Sequence, residues 1–333
     1  MHAGTATASV AAAALLGAGM FLMSTTDDSV TDTTAAGHAV TVTPAVTAGR
    51  SAAGTGTGFR TADGPAPALA REPLVLAHRG ASAYAPENTL AAVDRARALG
   101  FDWVENDVQF TRDGVLVVIH DTDLKRTTDA EEVFPGRAPW AVKDFTAAEI
   151  ARLDAGSWFG PQYAGARVPT LKQYLERIGR NQQNLLLEIK SPEIYPGIER
   201  ATLDVLDQEG WLDRSHVRDR LVIQSFGADS VRKVHEQRPD VVTGFLGTPA
   251  VAELPAYARF TDQINPTYTS VSDDYVAAVH ALKGPHLKAL RVNAWTVNDA
   301  QTARQVAGHG VDGIITNAPD VVRAATGIRA ATG

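Results

Sequence analysis

Four side chains that could carry out hydrolytic chemistry lie in one stretch of the sequence, from His78 to His120. Glu105 and Asp107 are two residues apart, so in a β-strand both side chains point to the same face. Two buried carboxylates repel each other and lose hydration. A divalent cation offsets both costs, and oxygen ligands favour Ca²⁺ or Mg²⁺ over zinc. Because imidazole titrates near neutral pH, the two histidines could serve as acid and base, so the set indicates a metal-assisted hydrolase. The structural alternative for the carboxylates is a solvated strand end or a bridge to arginine.

A second group lies far along the chain, where an apolar segment runs into Glu188 and Lys190. Alternation places these two side chains on one face of the predicted strand. Glu188 is a candidate third metal ligand and Lys190 could hold an anionic oxygen, although an ion pair between them is the simpler alternative. Arg79 has the forked donor geometry that matches phosphate oxygens. Trp295 ends a late strand, where its ring either lines a pocket or packs in the core.

The elements that must position these residues follow a regular order. Short apolar runs alternate with helical patterns, and counting predicts about eight strands joined by helices. Within roughly 250 residues this pattern favours a closed (β/α)8 TIM barrel, whose catalytic groups collect at the carboxyl ends of the strands. His78 and His120 are expected at that rim. Asn88 or Thr89 is predicted to cap the first helix. The segment from Asp121 to Ala166 lacks a clear period and is predicted to be an insertion with one short helix.

The composition limits the classes of function. Net charge is −7 over 333 residues, and acidic and basic residues are interspersed. The sequence therefore does not indicate a basic face that would bind nucleic acid. There are no cysteines, which excludes disulfides, thiolate chemistry and cysteine-ligated zinc. No glycine-rich dinucleotide motif follows the first strand. The expected partner is a small-molecule substrate, and the oligomeric state stays open.

The N-terminal part of the chain differs in composition from the rest. Residues 1–39 contain an apolar run, Val10 to Met23, that is short for a membrane span and typical of the core of a secretory signal. Ala39 ends a candidate cleavage site, although no Lys or Arg precedes the run. Residues 40–71 are rich in Thr, Gly, Ala, Ser and Pro and are predicted to form a flexible linker. We therefore expect a folded domain over residues 72–327, in a protein that is secreted or held in the cell envelope; an anchor or a disordered tail is the alternative to a cleaved signal.

Several short motifs occur in an order that characterises one enzyme family. They are His78-Arg79-Gly80, Pro86-Glu87-Asn88-Thr89, Glu105-x-Asp107-Val108, Asp113-Gly114, His120-Asp121, Arg126-Thr127-Thr128, Pro169-Thr170-Leu171, Glu188-Ile189-Lys190, Trp295-Thr296 and Asp312-Gly313-Ile314-Ile315-Thr316. From about residue 74 to its end the chain resembles the glycerophosphodiester phosphodiesterase family. Each tripeptide alone is a weak signal, but the ordered set is highly specific.

The resemblance implies a fold and an activity. The fold is a (β/α)8 barrel with an insertion after the third strand. The activity is hydrolysis of glycerophosphodiesters, such as glycerophosphocholine or glycerophosphoethanolamine, to glycerol 3-phosphate and an alcohol. Water or a neighbouring glycerol hydroxyl could be the nucleophile.

The resemblance also implies a role for each matching residue. The metal would be bound by Glu105, Asp107 and Glu188. His78 and His120 would be general base and general acid, Arg79 and Lys190 would contact the phosphate, and Glu87 would support the site. Asn317 is a departure, because many relatives carry Asp before the last proline; it lies outside the predicted metal and histidine set.

Two other functions stay open. One is a phospholipase D- or C-like enzyme of the same barrel type that acts on phospholipids or lysophospholipids. The other is a secreted binding module that has lost catalysis, which the presence of both histidines and all three acids disfavours. The sequence contains no obvious apolar lid or amphipathic membrane helix near the predicted rim, which favours soluble, deacylated substrates.

Overall fold

The computed structural model describes residues 72–327 of the chain. The predicted signal over residues 1–39 and the predicted linker over residues 40–71 lie outside the described residues. None of the helices within residues 72–327 is both long and apolar enough to cross a membrane.

A sheet of nine strands forms the centre of the described part of the chain. The strands are β1 (Leu74–Ala77), β2 (Trp103–Phe110), β3 (Leu116–Val118), β4 (Asn184–Ile189), β5 (Leu221–Ser225), β6 (Val242–Leu246), β7 (Gln263–Asn265), β8 (Arg291–Ala294) and β9 (Gly313–Thr316). Eight of them run parallel and close into a barrel, because β1 pairs with β9 on one side and with β2 on the other. The predicted (β/α)8 TIM barrel is therefore confirmed.

The third strand in chain order lies outside the barrel. β3 pairs antiparallel with the distal part of β2, where Val118 lies opposite Val108. The predicted insertion follows this hairpin and contains two short helices, α2 (Ala130–Val133) and α3 (Ala147–Ile150), where the sequence predicts one. The insertion has its own apolar cluster, which includes Leu124 and Phe145.

Several helices of the outer layer begin at a side chain that accepts an otherwise unpaired backbone N–H group. Thr89, not Asn88, caps the first helix, since its Oγ1 accepts from the N–H of Ala92 at 3.3 Å. Thr170 and Gln173 form a reciprocal capping box. The helices are α1 (Leu90–Ala98), α4 (Leu171–Arg180), α5 (Ile198–Gln208), α6 (Arg214–Asp219), α7 (Ala228–Gln237), α8 (Leu254–Tyr257), α9 (Asp273–His280), α10 (Ala300–Gly308) and α11 (Pro319–Thr326). Short 3-10 helices span Val142–Asp144, Pro161–Tyr163, Pro192–Ile194 and Tyr268–Ser270.

Side chains of the barrel strands alternate between the helix layer and the barrel interior, as the sequence predicts. Val104 and Val108 of β2 belong to the large apolar cluster that also includes Tyr174 and Ile178 of α4. A separate small apolar layer lies inside the barrel: Leu76, Leu186, Val222 and Ile315. The odd-numbered residues of β2 therefore face the interior, so its two carboxylates, Glu105 and Asp107, lie on the inner side of the barrel.

Candidate active site

Three carboxylates meet inside the barrel near the carboxyl ends of β2 and β4. Parallel pairing places Asp107 directly beside Glu188, and Glu105 lies on the same face two residues before Asp107. One carboxylate oxygen from each residue lies within 4.8 Å of the other two. All three side chains are buried. The structure thus brings together, from two strands, the three acids that the sequence singles out as metal ligands.

These carboxylates strongly disfavour one another's ionisation. Burial, together with the charges of Asp107 and Glu188, raises the pKa of Glu105 well above its usual value. Burial and the charge of Asp107 also raise the pKa of Glu188 to about 8, and the attraction of Lys190 does not reverse that shift. Asp107 Oδ1 is buried and makes no hydrogen bond. The three carboxylates supply oxygen ligands, and one of these oxygens receives no hydrogen bond from the protein. Such a set of ligands suits a hard divalent cation.

Two basic side chains flank the acidic cluster. Lys190 Nζ lies 2.7 Å from Glu188 Oε1 and 3.6 Å from Asp107 Oδ1. Arg79 Nε lies 3.4 Å from Asp107 Oδ2. Although burial opposes the change, these two cations lower the pKa of Asp107 to about 2. The Glu188–Lys190 ion pair that the sequence offers as an alternative is present, yet both side chains also line the cleft.

The turn after β1 orients the Glu105 carboxylate through a backbone hydrogen bond. The backbone N–H of Arg79 donates to Glu105 Oε2 at 2.9 Å. Arg79, at φ +56°, and Gly80, at φ +79°, both adopt left-handed backbone conformations. A Cβ on Gly80 would lie 2.6 Å from the Cβ of Ala92 in α1, so glycine is required for this close approach.

His78 is oriented by an asparagine from the last turn of the barrel. Its Nδ1 lies 2.6 Å from Asn317 Oδ1. An amide oxygen can only accept, so Nδ1 donates and the lone pair of the neutral ring lies on Nε2. Burial, with the charge of Arg79, lowers the pKa of His78 to about 4, so the ring is neutral at pH 7. Asn317, which lies outside the predicted metal and histidine set, therefore contacts His78 directly.

His120 reaches the same cleft by a different route. The sequence places it at the end of a strand at the barrel rim, but β3 is antiparallel, so His120 arrives on the returning arm of a hairpin. Its Nδ1 lies 2.7 Å from Asp121 Oδ1. Gln109 holds this segment, because its Nε2 donates to the carbonyl oxygens of Ile119, His120 and Asp121 at 2.9, 3.0 and 2.7 Å.

The Pro86-Glu87-Asn88-Thr89 motif directly precedes α1 and contacts two of the predicted site residues, Arg79 and Asp107. Asn88 Nδ2 donates to Asp107 Oδ2 at 2.8 Å and so orients a carboxylate, while Thr89 starts the helix. Glu87 Oε1 lies 2.8 Å from Arg79 Nη1 and accepts from Arg126 Nη2 at the same distance. The supporting role that the resemblance implies for Glu87 agrees with these contacts.

A single cleft contains the predicted site. Its walls surround about 390 Å³ of space, part of which is open to solvent. Trp295 lies in its wall, where Nε1 donates to Asn265 O at 2.7 Å and the ring meets Phe226 edge to face at 5.4 Å. Asp107 is buried beside the cleft, and the other predicted site residues line it: His78, Arg79, Glu105, His120, Glu188, Lys190 and Trp295.

Four residues that contribute to this arrangement have no site role predicted from the sequence. Gln109 carries a usable signal, because it shares the inward face of β2 with both acids. Asn88 and Asn317 lie within or directly after matching motifs, but nothing local indicates what each one contacts. Phe226 has no signal beyond its position after an apolar strand.

Comparison with known sequences gives a consistent result. The model of the glycerophosphoryl diester phosphodiesterase family matches residues 78–321. A glycerophosphodiester phosphodiesterase of Caldanaerobacter subterraneus subsp. tengcongensis is 37% identical over 257 residues, which cover 75% of this chain and 96% of the relative. A glycerophosphodiester phosphodiesterase of Bacillus subtilis is 34% identical over 265 residues, which cover 74% of this chain and 84% of the relative.

Solved structures are similar over the same region. The structure of an Oleispira antarctica phosphodiesterase in complex with the product sn-glycerol-3-phosphate matches with a TM-score of 0.65 and 29% identity, covering 76% of this chain and 96% of that chain. A glycerophosphodiester phosphodiesterase from Agrobacterium tumefaciens matches with a TM-score of 0.60 and 27% identity, covering 76% and 99%.

Proposed function

Because the chain belongs to the glycerophosphoryl diester phosphodiesterase family, we propose that this glycerophosphodiester phosphodiesterase uses two histidines and a divalent cation to release glycerol 3-phosphate and an alcohol. Glycerophosphocholine and glycerophosphoethanolamine are the proposed substrates. The observation that carries the proposal is the convergence of two oriented imidazoles on a cleft that lies against a cluster of three buried carboxylates.

His78 is the proposed general base. Its Nδ1 is engaged with Asn317, so Nε2 can accept a proton, and its lowered pKa keeps it unprotonated at neutral pH. It would deprotonate either water or the neighbouring hydroxyl of the glycerol group. The second route proceeds through a cyclic phosphate and benefits from intramolecular positioning.

His120 is the proposed general acid. Its Nδ1 faces the Asp121 carboxylate, which leaves Nε2 to carry the proton that is transferred to the departing alkoxide. An alkoxide of choline or ethanolamine is a poor leaving group, so its protonation removes a large part of the barrier. The ring hydrogen bond to Asp121 also holds the imidazole plane in a single orientation.

The charged groups of the cleft would stabilise the phosphoryl oxygens. Lys190 and Arg79 lie beside the acids and are proposed to contact the phosphate as negative charge builds on it. Glu105, Asp107 and Glu188 would hold Ca²⁺ or Mg²⁺, which when bound supplies further positive charge at the phosphoryl group. Trp295 is proposed to form the wall against which the substrate lies.

One assay tests this proposal. Purified protein is incubated with glycerophosphocholine and Ca²⁺ or Mg²⁺, and again with excess chelator, while glycerol 3-phosphate and choline are measured. We expect metal-dependent release of both products. No product under any condition would refute the phosphodiesterase activity, and equal turnover with chelator would refute metal dependence.

A variant pair tests the acid assignment. His120→Ala should lower turnover by roughly 10²- to 10⁴-fold while its circular dichroism and melting temperature stay close to wild type. His309→Ala is the matched control, since the side chains of His120 and His309 are 29% and 27% exposed and each is paired with an aspartate. Full activity of His120→Ala would show that this residue is not the acid.

A second substrate class is favoured by one feature of the rim. Several large apolar side chains are exposed in the segments that follow four consecutive barrel strands: Ile194, Phe226, Val251 and Tyr268. Such a surface could contact the acyl chain of a lysophospholipid. Faster turnover of lysophosphatidylcholine than of glycerophosphocholine, below the micelle concentration, would support this alternative; the reverse order would support deacylated substrates.

A further inference from the structure

We propose that Arg126 is a positioning residue that acts through Asp121. It holds the proton donor His120 in a fixed orientation relative to Arg79, on the phosphate-binding side of the cleft. The inference rests on the proposed function and deepens it. The cleft is lined by His120 and Arg79 but not by Arg126. Any influence of Arg126 on catalysis therefore passes through other side chains.

Arg126 forms a two-point contact with the partner of His120. Its Nε lies 2.6 Å from Asp121 Oδ2 and its Nη2 lies 3.0 Å from Asp121 Oδ1. Asp121 Oδ1 in turn lies 2.7 Å from His120 Nδ1. The guanidinium therefore fixes the plane of the carboxylate, and the carboxylate fixes the plane of the imidazole.

The other side of the same guanidinium is anchored on a different loop. Arg126 Nη1 and Nη2 each lie 2.8 Å from an oxygen of Glu87, which belongs to the turn after β1. Glu87 also binds Arg79 Nη1 at 2.8 Å. One arginine thus joins the insertion, which begins directly after His120, to the loop between β1 and α1, which carries Arg79 and Glu87.

Arg126 links Asp121 and His120 on one side to Glu87 and Arg79 on the other, and these two pairs depend on it to different degrees. Arg79 keeps its contacts with Glu87 and Asp107 without Arg126. The Asp121 carboxylate contacts only His120 and Arg126 among the side-chain bonds described within residues 72–327. Loss of Arg126 should therefore disturb His120 and leave phosphate binding largely intact.

The planar geometry of the guanidinium makes Arg126 hard to replace by lysine. Its planar fork offers parallel N–H groups to two carboxylates at once, whereas the single ammonium of lysine can approach one of them closely. The Arg126 side chain is 45% exposed, and exposed ion pairs contribute little to stability. The expected effect is accordingly on turnover rather than on folding.

The test compares two substrates that differ in their need for an acid. One is glycerophosphocholine, whose leaving choline alkoxide must be protonated. The other is the glycerol phosphodiester of p-nitrophenol, whose p-nitrophenolate leaves without protonation. We expect Arg126→Gln to lower kcat for glycerophosphocholine roughly tenfold to a hundredfold, with KM changed less than about threefold. The same variant should lose less than about threefold with the p-nitrophenyl substrate, and Arg126→Lys should fall between it and wild type.

Arg97→Gln is the matched control, because the Arg97 side chain is also 45% exposed and is paired with Asp102 outside the site. Its kcat should equal that of wild type with both substrates. An Arg126→Gln variant that behaves like this control, or that loses the same factor with both substrates, would overturn the inference. Absence of turnover by the wild-type protein would instead overturn the proposed function, and the inference with it.

Discussion

His78 gives the clearest case, at the scale of single residues, of a side chain whose surroundings set its chemistry. It is held by the neutral amide of Asn317 and lies near the cation Arg79. Burial and the charge of Arg79 favour the uncharged ring, and they outweigh the hydrogen bond to Asn317, which by itself raises the pKa of His78. A carboxylate at position 317 would accept the same hydrogen bond but would also stabilise the imidazolium form.

This difference leads to a prediction about pH. Since the pKa of His78 is lowered to about 4 and catalysis needs the neutral base, kcat/KM should fall only as pH drops well below 6.5. Asn317→Asp should raise the pKa of His78 and move this acid limb upward by about one to two pH units. The measurement is a pH profile of kcat/KM at saturating cation, and an unmoved limb in the variant would contradict the role of His78 as base.

The acidic cluster leads to a second prediction, about cation binding. In the metal-free protein the pKa of Glu188 is raised to about 8, so at pH 7 this carboxyl holds a proton that an incoming cation must displace. Deprotonation of Glu188 should therefore raise the affinity as pH increases toward 8, by up to about tenfold per pH unit. Calorimetric titration with Ca²⁺ or Mg²⁺ in buffers of different ionisation enthalpy measures both the affinity and the proton release.

Glu188→Gln serves as the comparison for this titration. The variant has no proton to displace at this position and one carboxylate fewer, so it should bind the cation weakly. It should also lack most of the stabilisation that saturating cation gives the wild-type protein, which amounts to about 2.7 kcal/mol at a concentration a hundred times Kd. Equal proton release by both proteins would contradict the assignment to Glu188.

At the scale of elements, the close packing of the first turn on α1 explains why Glu105 is held where it is. Gly80 allows the turn to approach Ala92, and the preceding backbone N–H of Arg79 binds the Glu105 carboxylate. The hairpin of β2 and β3 plays the equivalent part for His120 through Gln109. Each functional group is thus fixed by a short segment that is itself packed against the barrel.

The turn gives a third prediction, which compares two glycines. Gly80→Ala should destabilise the protein by roughly 2–5 kcal/mol, because it adds a clash with Ala92 to the cost of a left-handed backbone. Gly114→Ala, at φ +76° with no atom within 4 Å of the added Cβ, should cost only about 1–2 kcal/mol. Chemical denaturation measures both, and equal losses would show that the close approach to α1 does not contribute.

At the scale of the whole molecule, barrel closure brings remote segments together. β1 lies between β2 and β9, so the turns after the first and last strands are neighbours. This adjacency places Asn317 against His78, 239 residues away in the chain. The parallel pairing of β2 with β4 likewise places Glu188 beside Asp107.

The N-terminal part supplies the fourth prediction, which concerns export. We propose that the apolar run from Val10 to Met23 directs secretion and that cleavage after Ala39 removes it. The intact mass of protein recovered from the culture medium or cell envelope should then correspond to a chain that begins near Val40. A mass that includes residues 1–39 would contradict cleavage and favour an anchor.

Much of the fold and most of the site could be predicted from local sequence. Strand alternation separates the inward acids of β2 from its outward valines, and ordered motifs identify both histidines, because these properties depend on neighbours within a few residues. The alternation of strands and helices predicts the barrel for the same reason. The Asp113-Gly114 turn indicates that the next strand returns along β2. The position of β3 outside the barrel is not predicted, since a short apolar run has no signal for whether it joins the closed sheet.

Local sequence is enough to show which residue types could do chemistry and on which face of a strand each one lies. The assembled barrel is needed to see which remote partner orients each of them, such as Asn317 for His78 and Asn88 for Asp107. These contacts join segments that are separate in the chain, so they depend on barrel closure and on the packing of the loop between β1 and α1 against β2. Because such long-range hydrogen bonds leave no periodic trace in the chain, they become visible only when the strands are assembled.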